Sequence, residues 1–477
     1  MFRRMLTAAG LVALGFSLGA DPGFAADTAG PLFNHHADLD AALSKDKVSN
    51  LQLAWRVNTE APVSHAPLVQ DGRVYFADWN GTVYAADAAS GKIVWQADAL
   101  DQVKKEWPWH GFAGTGVLGD GRLYEASVEG EALALDPNSG DVIWRTRITD
   151  DPQAGSISRL AYHDGLVYIG LSSVEEPMDK KIQGFEPDFQ GKILALHADS
   201  GKLAWQLPLV EPPKNGVAMW TSFALDPDSD TLYFTTGNNY TGESSKLSDS
   251  LVAVDATTGE IKWSRQTVQH DVWTAKRQLG PDYDFSGGPQ LFQATVDGQQ
   301  RLLVGAAQKN GVFSVFDAGS GAPAWTTTVG YGGVEGGMQG EVSIGDGRIF
   351  AWSNNGYHHT KPAEQVKASV KALDAATGSQ IWVDDQAQPA ALDAAGFLAG
   401  DLYFTPSLDG KVRAYSADGG KQLWAADAGG PITASLQVAD GRLYASTGVP
   451  GMIGDWAKGK NGLVAFATSA GAKTTSQ

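Results

Sequence analysis

Three short phrases in this sequence carry more oxygen donors than a packed fold requires. Tyr168 to Glu176 (YIGLSSVEE) passes from strand-type residues directly into Glu175 and Glu176. Tyr233 to Tyr240 (YFTTGNNY) passes into Asn238 and Asn239, and a third phrase runs from His270-Asp271-Val272-Trp273 to Gly280–Phe285 (GPDYDF), with Asp282 and Asp284. Carboxylates joined by an amide carbonyl are the donor set of a hard cation of the calcium type. Singly, such residues are ordinary turn chemistry, because Asp and Asn bond nearby backbone amides. Three such phrases at equivalent strand ends, one after another, describe a shared site.

The frame that would bring them together is a repeat. Residues 253–263 (AVDATTGEIKW) have near-copies at 85–95 (AADAASGKIVW), 134–144 (ALDPNSGDVIW), 195–205 (ALHADSGKLAW), 315–325 (VFDAGSGAPAW), 372–382 (ALDAATGSQIW) and 414–424 (AYSADGGKQLW). Each leads from an apolar strand end into a turn with a Gly, then to a short strand ending in Trp. Gly suits a turn position of positive φ, and the usual Asp bonds turn amides. Trp is large enough to fill the space between one sheet and the next. A regular internal period decides the architecture before any local reading does.

Leu51 to Trp55 looks like the last strand of a repeat with no repeat before it. The strands at 442–446 and 463–467 lack a Trp strand after them. A ring in which the N-terminal strand completes the final sheet resolves both, and it removes the exposed edges of a linear array. Trp55, Trp95, Trp144, Trp205, Trp263, Trp325, Trp382 and Trp424 then mark eight blades. The expected fold is all-β, an eight-bladed β-propeller of four-stranded antiparallel blades closed by the N-terminal strand. Asp-Gly pairs before alternating apolar residues (at Asp71, Asp120, Asp164, Asp346 and Asp440) mark hairpins within blades and carry no chemistry. The longer repeats contain insertions at 175–190, 237–249 and 269–288. Inserted loops of a propeller gather on its faces, and the three polar phrases lie in or beside these.

Composition narrows the function classes. The 477 residues include 57 Gly and 15 Trp with only 19% charged residues, which fits many short strands and tight turns. A net charge of −18 makes nucleic acid and anionic membrane poor partners. The absence of cysteine excludes disulfides, zinc–thiolate sites, covalent c-type haem and an N-terminal lipid-anchor Cys. The His35-His36 and His358-His359 pairs lack an acidic partner at zinc-ligand spacing. No nucleophile elbow or nucleotide-binding loop stands in a suitable context. At the N-terminus, Arg3 and Arg4, an apolar core over 6–18 and Gly23-Phe24-Ala25 read as a secretory signal. Cleavage is expected after Ala25, giving a signal peptide over 1–25, one propeller domain over 26–477, and a periplasmic protein. The apolar core is too short to span a bilayer, and no other stretch could do so.

The turn-to-Trp repeat, with SSVEE, GNNY, GPDYDF, Gln308-Lys309-Asn310-Gly311 and residues 332–339 (GGVEGGMQ), resembles the pyrroloquinoline quinone (PQQ) dehydrogenases, eight-bladed propellers. Within them it is most similar to the polyvinyl-alcohol-dehydrogenase-like branch, without a haem domain, and the resemblance covers nearly the whole mature chain. The resemblance implies that Glu175, with Glu176 as the alternative, Asn238 and Asp282 hold a metal beside the quinone. Asp282 would also be the general base that removes the alcohol proton as hydride passes to the quinone. Asp284 matches a second acidic position associated with lanthanide use, so calcium and a lanthanide both stay open. Lys309 would hydrogen-bond the quinone oxygens, Trp220 would form an aromatic floor, and Ser172 or Ser173 would lie near the quinone carboxylates. The adjacent Cys pair of the better-known relatives is absent. Ala113 stands where relatives often carry an arginine for a quinone carboxylate, and Arg159 is the candidate to reach in from the next blade. Gly340 stands where relatives often carry a Trp.

The expectation is a periplasmic quinoprotein dehydrogenase that oxidises a small or polymeric alcohol with PQQ and a metal. Electrons would pass to a separate periplasmic acceptor such as a cytochrome. Two other classes use the same frame, a non-enzymatic scaffold in outer-membrane protein assembly and a tetrathionate-hydrolase-like enzyme. Converging oxygen donors favour the dehydrogenase, since a scaffold has no need of them.

Overall fold

The computed structural model describes residues 35–37, 43–107, 109–334, 336–355, 368–388, 392, 394–449 and 459–468. The expected signal peptide and the His358-His359 pair lie outside them. Consecutive stretches form seven antiparallel blades of four strands each, at 68–98, 117–147, 161–208, 223–266, 290–328, 343–388 and 397–427. The eighth takes three strands from 437–468 and its outer strand from Leu51–Asn58, which pairs antiparallel with Gly462–Thr468. The ring is therefore closed by the N-terminal strand, as the repeat predicts. His36–Ala37 lies parallel to Phe397–Ala399 and adds a fifth strand to blade seven.

Burial follows position within a blade. The third strand of the first blade, Thr82–Asp87, is buried along nearly its whole length, whereas the outer strand, Ile93–Asp98, alternates half-buried and exposed residues. A strand enclosed by blades on both faces reads as continuously apolar, and one with a solvent face alternates.

The repeat holds neighbouring blades together. The indole N–H of Trp95 donates to Pro137 O at 2.9 Å, that of Trp144 to Ala198 O at 2.9 Å, that of Trp205 to Ala256 O at 3.0 Å and that of Trp263 to Ala318 O at 2.9 Å, each acceptor lying in the following blade. Trp424 donates to Leu51 O at 3.0 Å and Trp55 to Ala88 O at 3.2 Å, which carries the chain of contacts across the closure. Trp325 is an exception, with its indole nitrogen buried and unpartnered. The turn glycine sits on the preceding blade's Trp. At Gly259, with φ +75°, a Cβ would lie 2.6 Å from Trp205 Cε3, and Gly140 and Gly321 face Trp95 and Trp263 in the same way. The Gly is thus required twice, by its left-handed backbone and by the ring against it.

The insertion at 175–190 opens with a short helix, Glu175–Lys181. Its first turn is acidic and its last turn basic, which suits the helix dipole. Among the described residues, no helix is long and apolar enough to cross a membrane.

Candidate functional site

The three polar phrases meet at one cavity of about 260 Å³. Glu176 comes from the helix that follows the 166–170 strand of blade three, and Asn238 follows the Thr231–Thr235 strand of blade four. Asp282 and Asp284 lie on the segment leading into blade five, and Lys309 follows that blade's second strand, Gln299–Ala307. Ser172, Ser173 and Trp220 also line the cavity.

Lys309 is the electrostatic centre. Its Nζ lies 3.0 Å from Asp282 Oδ1 and 2.7 Å from Asp284 Oδ1, and 5.5 Å from the centroid of the Trp220 ring. Trp220 Nε1 donates to Asp284 Oδ2 at 3.3 Å. Burial pushes the Asp282 carboxyl well above the usual range, with Lys309 opposing and Asp284 adding to the rise. Burial would lower the Lys309 ammonium, but Asp282, Asp284 and Glu176 outweigh it and raise it well above its ordinary value. Lys309 therefore stays charged.

The adjacent glutamates part company. Glu175 is fully buried and accepts the backbone N–H of Phe189 at 2.9 Å and of Asp188 at 3.2 Å, on a different flank of the helix from the cavity. Its carboxyl is pushed up to about 8 by burial, against those two hydrogen bonds. Glu176 is the member that lines the cavity, and burial pushes its carboxyl up to about 7 while Lys309 opposes the rise. Successive helical residues project about 100° apart, so one member of such a pair faces the cavity and the other does not.

Asn238 is oriented by its own amide. Its Nδ2 donates to Asn239 O at 2.8 Å and to Trp273 O at 2.9 Å, which leaves Oδ1 as the atom available to the cavity. Asp284 Oδ1 is buried and accepts no well-formed hydrogen bond, although Lys309 is close. Two buried carboxylates, the half-buried Glu176 and one amide oxygen thus face a single ammonium. An excess of buried negative charge is costly unless a cation offsets it, so this donor set fits a hard metal ion. The flat face of Trp220 beside the same cavity fits a planar aromatic ligand.

Two buried acids behind the cavity carry no role in the sequence reading. Asp271 accepts the backbone N–H of Asp282 at 3.1 Å and of Tyr283 at 2.6 Å. Asp249 is fully buried with neither carboxylate oxygen hydrogen-bonded, and burial, with Asp284 and Asp271 nearby, pushes it up to about 9. Asp271 stood in view in the His270–Trp273 phrase, whereas Asp249 had only its place at the end of an insertion to mark it.

Arg159 lies outside this cavity. It lines a smaller one of about 160 Å³, to which all eight inter-blade segments contribute, placing it on the propeller axis. The two cavities share Ile157, Trp220 and Gln339, so Arg159 sits next door to the acids, and Ala113 lines the same axial space. Burial lowers the Arg159 guanidinium to about 10, with Glu341 opposing. Gly340 packs close to the next strand's approach, where a Cβ would lie 3.1 Å from Ala394 C, so a Trp there would require the backbone to shift.

Comparison with known proteins bears on this geometry. A family model, PQQ_2, described as outer membrane protein assembly factor BamB, matches residues 52–271 and 366–474. The chain is 25% identical to a polyvinylalcohol dehydrogenase of Sphingopyxis sp. (strain 113P3), covering 83% of this chain and 66% of that protein. It is also 25% identical to a polyvinylalcohol dehydrogenase of Pseudomonas sp., covering 90% of this chain and 74% of that one. The structure superposes on a quinohemoprotein alcohol dehydrogenase of Pseudomonas putida with a TM-score of 0.75 at 20% identity, covering 93% of this chain and 79% of that one. That likeness shows the fold.

Proposed function

The chain belongs to the PQQ_2 family of β-propellers, and from that premise we propose that it is a quinoprotein dehydrogenase, oxidising an alcohol with PQQ and a metal ion. The observation that carries this reading is the convergence of Glu176, Asn238, Asp282 and Asp284 with Lys309 on one cavity beside the Trp220 ring. The polyvinylalcohol dehydrogenases it resembles support the alcohol as substrate class.

When bound, PQQ would supply a two-electron acceptor and the cation a Lewis acid. The chain's residues do the rest. Glu176, Asn238, Asp282 and Asp284 are the proposed cation ligands, with Glu176 taking the place that the resemblance first gives to Glu175. Calcium and a lanthanide are both accommodated by this set of oxygens. Asp282 would accept the hydroxyl proton of the alcohol as general base. Lys309 supplies positive charge where oxygen becomes negative during the reaction. Trp220 would support the ring, and Ser172 and Ser173 would hydrogen-bond its polar groups. Arg159, which lines the adjacent axial cavity, would receive a carboxylate of the quinone. Trp109, Trp273 and Val334 line the same cavity with apolar surface and would limit the shape of the alcohol. The proposal includes export with cleavage after Ala25, a single domain over 26–477, a periplasmic location and a separate electron acceptor such as a cytochrome.

The test is a titration of the purified, metal-stripped protein with PQQ, in calcium and separately in a lanthanide, followed by thermal unfolding. Saturable stabilisation that needs metal and fails in Asp282→Ala supports the reading. No shift with either metal overturns it and leaves a scaffold in outer-membrane protein assembly, or a cofactor-free hydrolase, as the better account.

A further inference from the structure

Among the described residues that line the axial cavity, Arg159 is the one cation and Glu341 the one anion. Glu341 is not a loose surface acid. Its Oε1 accepts the Ser222 hydroxyl at 2.9 Å and the Gly288 N–H at 3.3 Å, and its Oε2 lies 3.7 Å from His35 Nε2. Burial works against its charge, but the His35 ring and the Ser222 hydroxyl hold its carboxyl down to about 2. Held by the Ser222 hydroxyl and the Gly288 N–H, Glu341 places a carboxylate in the same cavity as the guanidinium that the quinone reading assigns to a carboxylate.

Two fixed opposite charges in one small cavity leave an incoming anion little net attraction. Water screens such charges poorly inside a protein, so the repulsion from Glu341 is felt by any carboxylate that approaches Arg159. Around the same space the Ser64, Thr221 and Ser286 hydroxyls are already engaged within the protein, whereas Thr433 Oγ1 is buried without a hydrogen-bond partner and can bond a polar ligand. A cavity of this composition accepts polar ligands readily and tricarboxylates reluctantly.

We propose that Glu341 is a specificity-determining residue that weakens the hold of the axial cavity on anionic ligands, making the quinone an exchangeable rather than a permanently held cofactor. This inference rests on the quinoprotein reading. Removing the charge while keeping the hydrogen-bond acceptor, as in Glu341→Gln, should tighten PQQ binding by about tenfold or more.

The experiment measures quenching of intrinsic tryptophan fluorescence in the calcium-loaded full chain, titrated with PQQ and in parallel with its uncharged trimethyl ester. Wild type, E341Q and E341A are compared; the alanine variant should move in the same direction, so either folded variant answers the question. A gain of about tenfold for PQQ with none for the ester is the expected result. If wild type binds PQQ and the variants bind it equally or more weakly, the role of Glu341 is overturned and the quinoprotein reading stands. An equal gain for PQQ and ester points to cavity shape and also overturns it. If neither wild type nor variants bind PQQ, in calcium or when the titration is repeated in a lanthanide, both readings fall.

Discussion

Asp271 clamps the backbone at Asp282. Its Oδ1 accepts the Asp282 N–H at 3.1 Å and its Oδ2 the Tyr283 N–H at 2.6 Å. Asp282 needs such a clamp, because its φ of +58° lies in the left-handed region, which costs a residue with a side chain about 1–2 kcal/mol. Gly280 completes the arrangement, since a Cβ there would collide with Asp271 Oδ1.

Removing the clamp should cost catalysis more than binding. Asp271→Ala is expected to lower turnover of the PQQ-loaded protein by about 100-fold through misplacement of Asp282. PQQ affinity should change little, because Asp271 does not line the cavity. Parallel measurements of kcat and of the dissociation constant check this, and an equal loss in both would contradict it.

Lys309 is the cation the buried acids depend on. Replacing it by Met leaves Asp282 and Asp284 without their partner and should destabilise the metal-free protein by about 3–5 kcal/mol. Calcium should restore part of that loss by replacing the missing positive charge. Urea unfolding of Lys309→Met with and without calcium reads both effects.

Asp249 gives the stability a pH dependence of definite sign. Its proton affinity is raised in the folded state to about 9, whereas the unfolded chain releases that proton near the ordinary carboxylate value of about 4. Between those values the folded state holds the proton that the unfolded state has lost, so stability falls as pH rises, by at most about 1.4 kcal/mol per pH unit from this group. Asp249→Asn should flatten the slope and be more stable than wild type at alkaline pH. Unfolding midpoints taken from acid to alkaline pH would show it, and parallel slopes for the two proteins would refute it.

Gly259 tests the repeat itself. With φ at +75° and Trp205 2.6 Å from the position a Cβ would take, Gly259→Ala should destabilise the protein by about 2 kcal/mol or more. The cavity acids lie elsewhere, so metal binding should survive. Thermal unfolding together with a calcium titration separates the two.

The frame of the molecule was legible in the sequence because its signals are local. Gly91 and Trp95 lie four residues apart and report one turn and one strand, and copies of that pattern count the blades. The donors Asn238, Asp282 and Asp284 could be read for the same reason, each ending a recognisable phrase. What could not be read depends on rotation or on distant partners. Nothing in the sequence fixes which of Glu175 and Glu176 a short helix turns toward the cavity. Asp249 is raised by burial and by Asp284, 35 residues away on the segment leading into the next blade, and Arg159 shares its cavity with Glu341 across nearly half the ring. The first pairing arises from packing of adjacent blades and the second from wrapping of the blades around one axis.

Closure of the ring also orders events in time. The strand Leu51–Asn58 finds its partner in Gly462–Thr468, so a segment made early waits for one made late. Seven blades can zip up as they emerge, but the latch cannot engage until almost the entire polypeptide is available. A chain made from its N-terminus therefore holds one unpaired strand until the final hairpin arrives, and an unpaired strand is the part most open to pairing with a neighbouring chain.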